Sequence, residues 1–569
     1  MTEGFTNIAG FFNRPRIAYF SMEMALESAI PTYSGGLGVL AGDTVRTAAD
    51  MELPLVAVSL VSRQGYFRQD LDAAGNQSEA PDPWEPADHA QLLRAMVAVP
   101  VDGRDVWVRA WLYPLASHLG GRIPVILLDT DCDSNCAEDR RITDQLYGGD
   151  DDYRFRQEIV LGIGGMRMLQ AMGVEVELYH MNEGHSALLA WALLRRFAYP
   201  ADTLRAGESP YDFHRVRRLC VFTTHTPVES GHDQFAYDLV RRHLGELADL
   251  PTLKSLAGED CLNMTRLALN LSEYVNGVAK RHAEISERLF PGYRVRAITN
   301  GVHPHSWTSA PFCRLYDQHL EGWAHEPELL RRANHLPDAS VQAAHREAKA
   351  NLIEWVRTDC GVELDPERPI LGFARRMTAY KRPDLLFTDI ERLRAIAAEQ
   401  PFQLVLAGKA HPHDEAGKAL IRQLHDHARE LADVLPVAFL PNYDLATALA
   451  MVAGVDVWLN TPLRPLEASG TSGMKAAFNG VPSLSVLDGW WLEGWIEGVT
   501  GWSVGDGAEG SNGSDADSLY RKLADKVLPL YYTDTAGWTA VMKNAIGLNA
   551  SAFNTYRMMR RYATEAYLS

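Results

Sequence analysis

The chain has 569 residues, 46% of them apolar and 22% charged, with a formal net charge of -18. That length exceeds one ordinary core and calls for two or more domains. The acidic balance argues against nucleic acid or an anionic membrane face as partner, although a local pocket can still be basic.

The first ten residues lack the charged and apolar regions of a secretion signal, and no later run approaches the roughly 20 apolar residues of a membrane helix. A cytoplasmic protein without a membrane partner is expected. Strand patterns follow at 16–21, 54–60, 106–112, 123–128, 174–180, 218–224 and 295–299, with helical spacing at 156–172 and 186–197. The stretch 63–105 is less regular and reads as an antiparallel excursion. Six cysteines are sparse and suit a reducing compartment. Cys132 and Cys136 form a lone pair without a second one nearby, so no zinc site is expected. A charged helical stretch at 327–358 introduces a second series, with strands at 369–374, 403–407, 437–440, 455–460 and 483–486 and helices at 382–399, 415–431 and 445–453.

Such alternation is the pattern of an α/β fold with largely parallel sheets. It predicts two doubly wound, Rossmann-like domains facing a central cleft, divided somewhere between Val302 and Pro337. The working division is 1–320, 321–545 and a carboxy-terminal helical segment, 546–569, packing back on the first domain. Residues 507–514 read as a polar loop. In open α/β sheets, ligands bind beyond the carboxyl ends of the strands, so the loops after the strands are where chemistry is sought.

One such loop is Glu467-Ala-Ser-Gly-Thr-Ser-Gly-Met-Lys475. It follows an apolar strand and leads into a helix rich in glycine and hydroxyls at its start. Unpaired N–H groups and the helix dipole favour an anion there, and Lys475 lies about one turn in. A second glycine turn, Tyr33-Ser-Gly-Gly-Leu-Gly38, offers similar N–H groups. Phe373-Ala-Arg-Arg-Met-Thr-Ala-Tyr-Lys-Arg382 gathers four cations at a strand end, with arginine suited to bidentate oxyanion binding. His180–His185 and Lys409–Asp414 carry histidines without a metal-like spacing, so no metal is expected. His225 ends a strand and faces the cleft. Asn276 and Asn300 read as polar turn residues. No G-x-S-x-G elbow or P-loop occurs.

Taken together these residues resemble the α-glucan (glycogen, starch, maltodextrin) phosphorylase family. Glu467-Ala-Ser-Gly-Thr-x-x-Met-Lys475 is similar to its pyridoxal phosphate attachment motif. Ser34–Gly38, Asn182–His185, His225-Thr226, Asn276–Ala279, Asn300-Gly301, Arg376-x-x-x-Tyr380-Lys381, Gly408–Ala410, Asn442-Tyr443, Asn479-Gly480 and Asp488-Gly489 follow in the family's order. The similarity runs from about Ile17 to Gly489 and looks like the bacterial and archaeal branch.

The resemblance implies a GT-B glycosyltransferase fold with pyridoxal 5'-phosphate on Lys475 as a Schiff base. It implies reversible phosphorolysis of α-1,4-glucan to α-D-glucose 1-phosphate with retention. Arg376 and Lys381 would hold the substrate phosphate with the Gly36 N–H. Arg375, Lys381, Thr471 and Ser472 would hold the cofactor phosphate, with Tyr443 and Trp307 near its ring. Glu467, Ser469 and Gly470 would bind glucose hydroxyls, Asn276 and His225 would sit on the 6-hydroxyl side, and the His225 carbonyl would lie near the reacting carbon. Leu37, His185 and Tyr380 complete the substrate set, and Arg376, Lys381, His225 and Glu467 the catalytic one.

The resemblance also implies a homodimer as the family's common assembly, with part of its N-terminal contact shortened here. The N-terminal regulatory segment of animal enzymes is expected to be absent, and with it control by phosphorylation or nucleotides. Gln145–Asp150 replaces a longer gating loop, and Asp444 stands where the animal pattern is basic. A nucleotide-sugar glycosyltransferase on the same scaffold is the alternative. Many retaining members of that class carry a second glutamate eight positions after the first, where this chain has Lys475. A non-catalytic glucan-binding protein is the third reading, against which the joint retention of Arg376, Lys381, Glu467 and Lys475 argues.

Overall fold

A computed structural model of the chain describes residues 16–505 and 512–568. The first ten residues and positions 507–511 of the expected polar loop lie outside the described residues, and Asn512 opens the helix Asn512–Lys522.

In the first half the strands are β1 (Ile17–Phe20), β2 (Leu55–Leu60), β3 (Arg68–Leu71), β4 (Gln77–Ala80), β5 (Gln91–Val101), β6 (Arg104–Ala116) and β7 (Arg122–Asp129). They continue as β8 (Leu178–Asn182), β9 (Cys220–Thr223), β10 (Gln234–Ala236), β11 (Cys261–Asn263), β12 (Tyr274–Gly277) and β13 (Arg296–Ala297). Nine of them form one sheet in the order β13-β12-β9-β8-β1-β2-β7-β6-β5. Pairing is parallel from β13 to β7 and antiparallel at β6 and β5. β1 and β2 are buried along their whole length, as parallel strands covered on both faces must be. The irregular 63–105 stretch supplies β5 and, separately, the antiparallel hairpin β3–β4.

The second half holds β14 (Ile370–Ala374), β15 (Gln403–Ala407), β16 (Val437–Leu440), β17 (Val457–Asn460), β18 (Ser483–Val486) and β19 (Gly501–Val504). They form one sheet, β16-β15-β14-β17-β18-β19, parallel throughout. Strand order reverses between β1 and β8 in the first sheet and between β14 and β17 in the second, with the strands parallel across both points. The crevices at such reversals are where doubly wound folds bind ligands. The chain is thus a pair of doubly wound α/β sheets of the GT-B type.

Several elements differ from their sequence patterns. The strand expected at 174–180 runs from Leu178 to Asn182, because Gly173 ends the preceding helix with a left-handed backbone and a loop follows. Arg218 and Leu219 belong to the helix Phe213–Leu219, which leaves only Cys220–Thr223 as strand. Asn276, read as a polar turn residue, lies in the buried strand Tyr274–Gly277: pairing with β9 and β13 overrides a weak local preference. The helix expected from Arg382 begins only at Ile390. Arg382 is left-handed, Pro383 follows it, and Asp389 caps the new start by accepting from the Arg392 N–H.

The two halves share one packed core at their junction. Side chains from Val302 through Trp307 to Leu336 pack with the second sheet, together with Ala25 and Val39 of the first half. The terminal helix Thr555–Tyr562 returns to the first half, where Met558, Met559 and Tyr562 pack with Leu40, Val221 and Tyr274. Tyr562 Oη lies 3.2 Å from Thr223 Oγ1 and accepts from Asn276 Nδ2 at 3.0 Å, while Tyr567 Oη pairs with His180 Nδ1 at 2.8 Å.

Candidate active site

A cavity of about 490 Å³ lies between the halves. Its walls are the loops after β1, β8 and β9 on one side and those after β14, β15, β16 and β17 on the other. Both topological reversals therefore open onto one space.

The second half contributes the charged floor. Glu467 Oε2 accepts from Lys381 Nζ at 2.6 Å and from Arg375 Nη1 at 3.0 Å. Burial pushes the Glu467 carboxyl up, but the Arg375 and Lys381 cations outweigh it and hold the group below its usual range. The backbone that presents Glu467 is itself fixed. Its N–H donates to Asp488 Oδ2 at 2.9 Å, and the Gly489 N–H donates to Asp488 Oδ1. Burial raises Asp488 to about 6.

Arg375 keeps two donors, Nε and Nη2, buried and without a partner. A buried guanidinium with unmet N–H groups is costly and marks a place for an anion. Gly470 stands beside it: its φ is +76° and a Cβ there would come 3.2 Å from Arg375 Nη2. Only glycine permits both the turn and the close approach. The helix Ser472–Ala477 starts immediately after, and the Ser472 hydroxyl accepts from Trp458 Nε1 at 3.0 Å. Ser469 Oγ is also buried without a partner.

Lys475 is buried, and its Nζ lies 3.8 Å from the centroid of the Trp307 ring. Burial lowers its amine to about 8, opposed by Asp43 and assisted by Arg375, so a neutral, nucleophilic amine is accessible near neutral pH. Trp307 is held in place from both sides. Its Nε1 donates to Asp43 Oδ2 at 2.8 Å, and its carbonyl accepts from Asn479 Nδ2 at 2.8 Å.

On the first half, the helix Gly36–Asp50 has no side-chain cap of its own. Glu23 substitutes for one: its Oε2 accepts from the Ser34 N–H at 2.6 Å and the Gly35 N–H at 3.1 Å. The Gly36 N–H is not among these bonds. His225 Nε2 pairs with Asn182 Oδ1 at 2.7 Å, and its N–H donates to Glu183 Oε2 at 2.8 Å. Burial and the neighbouring histidines push His225 far below its ordinary value, so the ring is neutral. Burial likewise lowers His185 to about 4, although Asp233 stands 3.3 Å from its Nε2.

Gly36, Leu37, His185, His225, Trp307, Arg375, Arg376, Tyr380, Lys381, Tyr443, Glu467, Ser469, Gly470, Thr471, Ser472 and Lys475 all line this cavity. Asn276 does not. It is fully buried beneath the terminal helix, its amide donating to Tyr562 and its carbonyl accepting from Thr223 Oγ1 at 2.9 Å. Its polar turn-like sequence concealed a strand interior. Asp444 caps the helix Leu445–Gly454, accepting from the Thr447 N–H at 2.8 Å, and also faces the cavity.

Glu23, Tyr66 and Arg154 also line the cavity without having been singled out from sequence. A signal existed for Glu23, a lone charge in the apolar run that follows β1. Tyr66 and Arg154 carry none that separates them from surface residues.

A family model described as carbohydrate phosphorylase matches residues 181–497. Maltodextrin phosphorylase of Thermococcus litoralis is 39% identical over 595 aligned residues, which cover 97% of this chain and 70% of that protein. Glycogen phosphorylase of Mycobacterium tuberculosis is 36% identical, with 97% and 70% covered. Glycogen phosphorylase of Aquifex aeolicus is 34% identical, with 97% and 86% covered. A model matched over more than half the chain, and relatives aligned along nearly all of it, agree with the site's own chemistry: the chain belongs to the carbohydrate phosphorylase family.

Proposed function

We propose that the chain is an α-1,4-glucan phosphorylase that transfers the non-reducing terminal glucose of its substrate to inorganic phosphate, giving α-D-glucose 1-phosphate with retention. The observation that carries this reading is Arg375, with two buried and unmet donors beside Gly470 and in the same cavity as the Lys475 amine. That set fits pyridoxal phosphate. Lys475 would tether the aldehyde carbon, Trp307 and Tyr443 would flank the ring, and Arg375 with the Thr471 and Ser472 N–H groups would hold the phosphate. When bound, the cofactor supplies a second phosphate group next to the substrate phosphate.

The chain's own residues account for the remainder. Arg376, exposed toward the cavity and without an ion pair among the described residues, would bind the substrate phosphate with Lys381 and the Gly36 N–H. Glu467, Ser469 and Gly470 would fix the hydroxyls of the terminal glucose. The neutral His225 ring cannot compete for the phosphate, and its carbonyl would face the positive charge that develops at the anomeric carbon. Held in that arrangement, the substrate phosphate gives its proton to the glycosidic oxygen. The bond from C1 to that oxygen breaks, a bond from C1 to a phosphate oxygen forms on the same face, and the proton ends on the released 4-hydroxyl. No pair of carboxylates is needed, unlike in a glycosidase.

Among the described residues no helix is long and apolar enough to cross a membrane, and all six cysteines are unpaired. Cytoplasmic residence and a homodimer belong to this proposal. The test is phosphorus NMR of purified protein with maltoheptaose and phosphate, with and without added pyridoxal phosphate. A cofactor-dependent α-glucose 1-phosphate signal, lost in Lys475→Ala, supports the reading. An inactive wild type in the presence of cofactor refutes it.

A further inference from the structure

The first half contributes one buried carboxylate that no step above uses. Asp43 is 1% exposed and lies behind the cavity wall, in the middle of the helix Gly36–Asp50. That helix seats deeply because of Gly42, where a Cβ would come 2.0 Å from the Ala25 carbonyl oxygen. A larger residue there would lift the helix and draw Asp43 away from the junction of the halves.

Asp43 and Asp50 are seven residues apart and share one face of the helix. Both reach the segment His303–Trp307, whose tryptophan belongs to the core shared by the two halves. Asp50 Oδ2 pairs with His303 Nε2 at 2.7 Å. Asp43 Oδ2 accepts from the His303 N–H at 3.2 Å and from Trp307 Nε1 at 2.8 Å. The first half thus holds the indole by its ring nitrogen, while Lys475 Nζ lies 3.8 Å from the ring centroid. The second half holds it from the other end. Asn479 Nδ2 donates to the Trp307 carbonyl at 2.8 Å and to the Lys475 carbonyl at 3.2 Å. Indole and lysine are therefore registered against each other by Asn479, and against the first half by Asp43.

Charge follows the same geometry. Burial disfavours the ammonium form of Lys475, Asp43 opposes burial, and Arg375 adds to it, which leaves the amine at about 8. The indole face works in the same direction as Asp43. Capture of an aldehyde needs the neutral amine. The nitrogen bonds the carbonyl carbon, two protons leave the nitrogen, and the carbonyl oxygen departs with them as water.

We propose that Asp43 is a positioning residue for cofactor capture, holding the Trp307 indole in register with Lys475 and supplying the negative charge that faces the Lys475 amine from the first half. This rests on the reading that Lys475 carries pyridoxal phosphate.

The test uses the full chain depleted of cofactor, as wild type, Asp43→Asn and Asp43→Leu. Stopped-flow absorbance follows the capture of added pyridoxal phosphate across pH, and equilibrium titration gives the cofactor Kd. The cofactor's own titration is common to all three proteins and cancels. Asparagine keeps an acceptor for the indole and removes the charge, whereas leucine removes both. The wild-type capture rate should rise with pH to a midpoint near 8. In Asp43→Asn the midpoint should fall by about one pH unit, with Kd within about threefold of the wild type. In Asp43→Leu the midpoint should fall likewise and Kd should rise about tenfold. An unmoved midpoint in Asp43→Asn overturns the proposal, because lost packing slows capture at every pH without moving the midpoint. An Asp43→Leu Kd equal to that of the wild type overturns it as well. Should Asp43→Leu fail to fold, the Asp43→Asn midpoint decides. A wild type that takes up no cofactor overturns the reading of Lys475 and this role with it. A cofactor-binding wild type matched by both variants overturns this role alone.

Discussion

Substituting Glu467 by glutamine probes the charged floor without changing its volume. In the folded chain one carboxylate oxygen serves two buried cations, at 2.6 Å to Lys381 Nζ and 3.0 Å to Arg375 Nη1. Glutamine keeps one acceptor oxygen but removes the charge, leaving two cations facing each other in a site where their side chains are each 10% exposed. Removing one partner of a buried ion pair costs about 3–5 kcal/mol, and the retained acceptor puts Glu467→Gln near the lower end, about 3 kcal/mol. The pH dependence has a defined sign. Because the folded-state pKa is depressed, the carboxylate's contribution is full above the unfolded glutamate value of about 4.3 and is lost as pH falls through the folded value. Urea unfolding of cofactor-depleted protein should therefore show a clearly lower midpoint for Glu467→Gln at pH 7 and converging curves below about pH 4. Added phosphate should recover part of the loss by neutralising the same cations. Equal midpoints at pH 7, or a gap that widens on acidification, would rule out a stabilising ion pair at Glu467.

Arg376→Ala should raise KM for inorganic phosphate by roughly tenfold to a hundredfold, the worth of a charged hydrogen bond, with fold and cofactor content unchanged; steady-state kinetics at saturating maltoheptaose checks this. Gln69 and Gln77 tie the β3–β4 hairpin to the second half. Gln69 exchanges bonds with Asn442 and donates to the Gly408 carbonyl at 3.0 Å, and Gln77 does the same for Ala410, through its amide nitrogen at 2.9 Å and its carbonyl at 3.0 Å. Gln69→Leu should leave two backbone groups, the Asn442 N–H and the Gly408 carbonyl, unmet and cost about 1–3 kcal/mol. Limited proteolysis between the two halves should accelerate accordingly, and an unchanged cleavage rate would count against the clamp.

Much of this was legible in sequence because the strands are buried on both faces and announce themselves as apolar runs. Ile370–Ala374 and Gln403–Ala407 stand almost as patterned. The loops after them carry arginine, lysine and glycine, whose chemistry is local. The failures share a cause in long-range pairing. Tyr274–Gly277 has too few apolar residues to read as a strand and is made one by β9 and β13. Asn276 therefore read as a polar turn residue, while its partners Thr223 and Tyr562 lie far away in the chain. That Lys381 and Arg375 converge on Glu467 was not legible, because nothing local reveals it. Tyr66 was silent for the same reason: its neighbour His411 belongs to the other half.

The proposed function requires that this cavity hold pyridoxal phosphate on Lys475. Borohydride reduction of the purified protein, followed by digestion and mass spectrometry, tests it most directly. A phosphopyridoxyl mass increment is expected on the peptide containing Lys475 and on no other lysine, abolished in Lys475→Ala. An unmodified Lys475 peptide after reduction in the presence of excess cofactor would contradict it.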